Sequence, residues 1–140
     1  MYQKDYILRM IEMLGDLIAG ILGLIRKGDF IRASDEIGKL YHDMLREDSA
    51  FFMKIPQEEL TNKLLKEHNY TSGHLEILAE LFNAEAELEF ARSKREESLI
   101  LFRKSLVLFE FIDNEQKTYS LERIKKMENI KNRFMEASDA

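Results

Sequence analysis

The chain of 140 residues contains no cysteine, no tryptophan and a single proline. Without cysteine there is no thiol nucleophile, no disulfide framework and no cysteine-ligated zinc or iron–sulfur centre. One proline and six glycines are too few breakers for the many turns an all-β domain needs. The glycines are scattered, and none is followed by Lys-Ser or Lys-Thr, so a phosphate-cradling loop is excluded as well. The longest purely apolar or glycine run near the start is Leu17 to Ile25. It is too short for a hydrocarbon core that requires about 20 residues, and no membrane span is expected. Asp5, Glu12 and Asp16 interrupt the N-terminal region, which also lacks a basic lead, so no secretory signal is expected. A cysteine-free chain suits a reducing compartment, and the cytoplasm is the expected location.

What is present is 45% hydrophobic and 34% charged, with a formal net charge of −5 and a pI near 5.3. That length suits one domain able to bury its own core. An acidic chain is poorly matched to the phosphates of a nucleic acid, and no nucleic-acid partner is expected. Charge is uneven: residues 49–90 hold three basic and eight acidic side chains. In the last helix Arg123, Lys125, Lys126, Lys131 and Arg133 alternate with Glu122, Glu128 and Glu136, which reads as a solvated face.

Apolar residues recur at steps of three and four, and no segment sustains a period of two, so the expected fold class is all-α. A first helix from about Tyr2 to Lys27 shows Tyr6, Met10, Leu14, Leu17, Ile21 and Leu24 on one face. Gly28 suits the C′ position and Asp29 the cap of a second helix, whose core face is Phe30, Ala33, Ile37, Leu40, Tyr41 and Met44. So short a turn folds residues 1–48 into an antiparallel hairpin. Residues 49–73 form an irregular middle. There Phe51, Phe52 and Ile55 suggest one helical turn, Pro56 opens a short helix and 69–73 is a loop. Residues 74–114 read as a second hairpin and 118–136 as a capping helix, giving one helical domain over 1–140 with about five or six helices. Between Leu99 and Ile112 the helix is apolar on most sides, and Glu96, Arg103 and Glu110, seven apart with Lys104 beside them, draw a narrow wet stripe. That segment and Leu17–Ile25 are the two expected to be buried on several sides.

Placing Gly28 over Ser93 puts Ala33 over Ser98, Ile37 over Phe102 and Leu40 over Ser105. These positions resemble the second-helix part of the tetratricopeptide pattern, whose tyrosine, tryptophan and closing proline positions are unfilled here. Tyr6-Ile7-Leu8-Arg9-Met10-Ile11-Glu12, Lys27-Gly28-Asp29-Phe30 and Asp48-x-x-Phe51-Phe52 resemble an uncharacterised bacterial family of small all-helical proteins. The resemblance implies a tetratricopeptide-like array of stacked antiparallel hairpins and no known activity.

No catalytic constellation emerges. The histidines are preceded three residues back by Lys39, Leu65 and Thr71, so the Glu-x-x-His motif of di-metal bundles is missing. His68 and His74 flank the loop and, with Glu67 or Glu76, carry donors for a shared zinc. Surface loop histidines are the plainer reading, and neither a metal nor another cofactor is expected. No serine lies in a Gly-x-Ser-x-Gly context. Glu85 and Glu89 are paired acids able to do general acid–base work in a cleft, but beside Glu87 a solvated acidic face is the plainer reading.

The anomaly is a stripe of small residues, Gly15, Ala19 and Gly23, on the first helix. Each interior glycine costs about 1 kcal/mol relative to alanine, which close helix packing can offset. Two readings stay open: the second or fourth helix packs there, or the stripe is a homodimer seam. A second candidate surface is the concave side of the helix stack, to which Tyr41, His42, Phe82 and Phe90 can contribute. The expected function is therefore a non-catalytic protein-interaction or assembly module, with a protein partner or a second copy. The alternative is a small-molecule binder or enzyme with a pocket between helices.

Overall fold

The three-and-four spacing becomes seven α-helices in a computed structural model of the protein, which describes residues 2–116 and 120–139. They are α1 (Tyr2–Arg26), α2 (Phe30–Leu40), α3 (Ser49–Met53), α4 (Leu60–Glu67), α5 (Ser72–Ala91), α6 (Arg95–Gln116) and α7 (Leu121–Asp139). No strand occurs among the described residues. Residues 118 and 119 of the expected capping helix lie outside them. The helix count exceeds the expected five or six because the turn at Phe51 and Phe52 is a helix in its own right. Its start is capped by Asp48, which accepts from the Phe51 amide at 2.9 Å.

The two turns that join α1 to α2 and α5 to α6 share one design. Gly28 (φ +82°) and Ser93 (φ +65°) both adopt the left-handed conformation that ends a helix. Gly28 N–H donates to Ile25 at 3.0 Å and Asp29 N–H to Leu24 at 2.9 Å. Ser93 and Lys94 repeat these bonds to Phe90 at 3.1 Å and Glu89 at 2.9 Å. The positions that follow in register are all buried: Ala33 and Ser98, Ile37 and Phe102, Leu40 and Ser105. Ser105 spends its hydroxyl on the Ala79 carbonyl at 2.7 Å, which lets a polar side chain sit in the core.

Packing sets the directions. Ile7 lies against Gly73, and Ile11 and Gly15 line one cavity with Glu76 and Glu80, so α1 and α5 run the same way. Lys126 pairs with Glu80 and Arg133 with Glu87, the same offset in both cases, so α7 also runs parallel to α5. α2 and α6 return antiparallel.

The burial pattern departs from expectation in three places. The helix closed on most sides is α5, through Leu75, Ile77, Leu78, Ala79, Leu81, Phe82, Ala84, Ala86 and Leu88. In Leu17–Ile25, by contrast, Leu17, Ala19 and Gly20 stay exposed. A run of apolar letters lacks directional information, and α1 is covered on one side only. The second helix does not continue regularly to Met44. After Leu40 it widens into a π turn over Tyr41–Leu45, which ends at Arg46 in the left-handed region (φ +61°). Lys104 is not part of a wet stripe. It is 5% exposed, and its ammonium donates to the carbonyls of Met53 (3.0 Å), Phe52 (3.3 Å) and Ile55. It thereby satisfies the C-terminal end of α3 and ties the irregular middle to α6.

Candidate functional site

A cleft of about 280 Å³ opens between α2, the start of α3 and the C-terminal half of α5. Ser34, Gly38, Tyr41, Asp48, Ser49, Glu85 and Glu89 supply its polar and small lining, with Ile37 and Leu88 beneath. Gly38 contributes by omission, since nothing lies within 4 Å of the place its Cβ would take. The π turn follows directly and begins with Tyr41. Such turns are frequent at functional positions because the extra residue re-aims a side chain.

Tyr41 is 1% exposed, and its ring stacks on Phe52 at 6.0 Å between centroids. Phe52 is fully buried and also packs on Phe51 (5.0 Å), Tyr70 (6.2 Å) and Phe82 (6.4 Å), so the floor beneath Tyr41 is rigid. The Tyr41 hydroxyl donates to Glu85 Oε1 at 2.7 Å, and the Ser49 hydroxyl donates to the same oxygen at 2.7 Å. Three chain segments therefore meet on one carboxylate. No buried side-chain oxygen among the described residues lacks a partner. Both hydroxyls take Oε1, and the half-buried Glu85 side chain lines the cleft.

Burial pushes the Glu85 carboxyl above its ordinary range, and nearby Glu89 adds to this, while the bonds from Ser49 and Tyr41 oppose it. Burial, then the charge of Glu85, pushes the Tyr41 phenol well above its usual value. Tyr41 is therefore a fixed donor at neutral pH, unsuited to serve as a base. Lysine and arginine are missing from the lining, while Asp48, Glu85 and Glu89 contribute three carboxylates. Asp48 is occupied as a cap, and Glu89 pairs with Arg92 at 3.2 Å and Lys94 at 3.9 Å. Glu85 is the acceptor left for a visitor.

The other candidate positions separate. Phe82 is fully buried and belongs to the core, with no surface to offer a groove. Phe90 is half-buried, and the Arg133 guanidinium lies 4.5 Å above its ring centroid. His42 is exposed beside Asp43 at 3.6 Å. Gly15 and Ala19 are exposed and Gly23 is half-buried. A Cβ at Gly15 would meet nothing within 4 Å, and one at Gly23 only Arg26 of the same helix at 3.9 Å. Among the described residues, then, no other helix closes on Gly15 or Gly23, and Gly15 shares a cavity with Glu76 and Glu80 of α5. His68 and His74 do not converge. His68 meets the edge of Phe51 (5.1 Å), whereas His74 stacks on Tyr70 (4.8 Å) and accepts the Thr71 amide on Nδ1 at 3.0 Å. Among the described residues no three His, Asp or Glu side chains form a metal-binding group. None of the described helices is long and apolar enough to cross a membrane.

Two surfaces read as solvated are in fact engaged. Glu87 accepts from Arg133 Nε at 2.9 Å and Nη2 at 3.3 Å, and Glu80 takes Lys126. Arg123 is 7% exposed and pairs with Asp113 at 2.9 Å. Beside this seam Ile11, Gly15, Glu76, Glu80, Arg123 and Lys126 line a cavity of about 100 Å³, large enough for a few waters. Burial and Glu80 raise the Glu76 carboxyl there, against the opposing pull of Arg123 and Lys126.

The sequence did not mark Ser49 as a cleft residue, nor Glu85 as a carboxylate held by donors. One signal was available: Glu85 falls seven residues after Leu78 and three after Phe82, inside the apolar arc of α5. A carboxylate at such a place must find donors. Compared with known proteins, the chain matches no family model, no curated sequence and no solved structure.

Proposed function

We propose that the protein is a non-catalytic interaction module of tetratricopeptide-like organisation whose α2–α3–α5 cleft receives a lysine or arginine side chain of a partner protein. The carrying observation is Glu85, fixed through Oε1 by two hydroxyls, in a cleft lined by three carboxylates and no basic side chain. Tyr41 and Ser49 hold the carboxylate in one orientation, so little side-chain entropy is lost when a cation docks. A cation also offsets the burial cost that raises Glu85, so binding and ionisation reinforce each other. The tetratricopeptide-like part of the reading is supported by the matched turns at Gly28 and Ser93 and by the parallel α1 and α5. The absence of cysteine favours action in the cytoplasm. A protein partner is favoured over nucleic acid because Arg123, Lys126 and Arg133 are spent on internal acids. It is favoured over a small molecule because ligand pockets run to roughly 300–1,000 Å³, whereas this cleft is about 280 Å³.

The test is fluorescence anisotropy with a library of short peptides centred on lysine, arginine, acetyl-lysine or glutamate. Peptides with a free cation are expected to bind and acetylated ones not to. Because a charged hydrogen bond contributes about 1.5–3 kcal/mol, Glu85→Gln is expected to weaken binding about tenfold or more. Equal affinity for acetylated peptides, or for the Gln variant, overturns the reading.

A further inference from the structure

On α1, Tyr6, Met10, Met13, Leu17, Gly20 and Leu24 follow one another at steps of four, three, four, three and four. That is the a/d spacing of a helix that packs along a second helix. These residues form one flank of α1, beside the face carrying Ile7, Leu14, Ile18 and Ile21 into the core. The flank is open at Tyr6 (51% exposed), Met13 (59%) and Leu17 (39%), while Met10 turns inward and is buried with the core face. Methionine is the residue most adaptable at a contact between surfaces. The outer border of the flank carries Arg9 and Asp16, seven residues apart. Neither takes part in a hydrogen bond or ion pair among the described residues.

We infer that this flank is the seam of a homodimer in which two copies of α1 pack antiparallel. The charges choose the occupant and its direction. In the register that sets Tyr6 against the second copy's Leu17, Met13 lies over the edge of its Met10. The same register sets Arg9 beside the second copy's Asp16, and symmetry makes this ion pair twice. A single helix whose border carries one charge of each sign is thus complementary to itself when reversed. The overlap from Gln3 to Gly20 is about 27 Å long at 1.5 Å per residue. Gly15 and Ala19 lie on another part of the helix, so the small-residue stripe is not this seam. The dimer is independent of the cleft, whose residues lie on α2, α3 and α5.

Sedimentation equilibrium of the full chain at about 100 µM is expected to give twice the 16.5 kDa protomer mass. Met13→Glu is expected to give the protomer mass with an unchanged helical spectrum, since Met13 is exposed. Arg9→Asp and Asp16→Arg alone are each expected to raise the dimer dissociation constant about tenfold or more, and the two together to restore it. A wild type of protomer mass, a dimeric Met13→Glu variant, or a double charge reversal no tighter than the single ones overturns the inference.

Discussion

The hydroxyl of Tyr41 donates to Glu85 Oε1 at 2.7 Å, joining residues 44 positions apart across the wall of the cleft. The carboxylate gains two donors but loses water, and the loss prevails, since burial holds its pKa above the ordinary carboxylate range. A group raised on folding contributes most below its unfolded pKa and costs stability as pH climbs through the folded one. Glu85→Gln keeps an oxygen for both hydroxyls and removes that cost. The variant is expected to be more stable than the wild type at pH 7, with the two converging below about pH 4.5. Urea midpoints across pH 3–8 decide it. No gain at neutral pH contradicts the assignment. Tyr41→Phe, which removes one donor from a half-buried acceptor, is expected to cost about 1–3 kcal/mol.

The start of α5 titrates in the opposite sense. His74 Nδ1 accepts the Thr71 amide at 3.0 Å while Thr71 Oγ1 accepts from the His74 amide at 3.4 Å, closing a capping box. Protonated Nδ1 cannot accept, and burial holds the His74 pKa below 6.5. The contribution is therefore complete above pH 6.5 and lost as pH falls through the lower folded value. His74→Gln preserves an acceptor without a titration. Between pH 7 and 5 the wild type is expected to lose about 1 kcal/mol relative to the variant, the typical worth of a cap. Parallel unfolding curves at both pH values for the two proteins would rule this out.

Two helical glycines are expected to respond with opposite signs. A Cβ at Gly73 would run into the Ile7 Cγ2 methyl, a branch fixed close to the α1 backbone. Gly73→Ala is expected to push α1 from α5 and cost about 1–3 kcal/mol, as overpacking does. Gly15→Ala enters empty space and is expected to stabilise by up to about 1 kcal/mol through helix propensity. Thermal unfolding of the two variants distinguishes them, and a shared sign refutes the packing described between α1 and α5.

Arg133 grips Glu87 with two nitrogens while lying over Phe90. Its side chain is 32% exposed and that of Glu87 23%, so the coupling belongs between those of surface and buried pairs. A double-mutant cycle with Arg133→Met and Glu87→Gln is expected to show about 1 kcal/mol of coupling, reduced at high salt. A coupling of zero would mean that α7 is held by Ile130 with its apolar neighbours and by the Lys126 and Arg123 ion pairs, without help from Arg133.

Much of the fold was legible along the chain because helix periodicity, caps and turns are local properties. Gly28 and Asp29 announce a turn within four residues, and the structure repeats that turn at Ser93, whose left-handed backbone no glycine advertised. The site was less legible. Charged letters such as Glu85, Lys104 and Arg133 have no local mark to distinguish a solvated carboxylate or ammonium from one held by donors or acceptors about 50 residues away.

By itself, then, the sequence determined an all-helical chain without cysteine chemistry, and where its helices begin and end to within a few residues. Only the tertiary structure decided that α5 lies at the centre, that Phe82 is core and that Leu17–Ile25 stays half open. It also brought Tyr41, Ser49 and Glu85 onto one oxygen. Periodicity tells which side of a helix avoids water. Which neighbour covers that side, and which charge is thereby taken out of water, depends on contacts between segments distant in the chain.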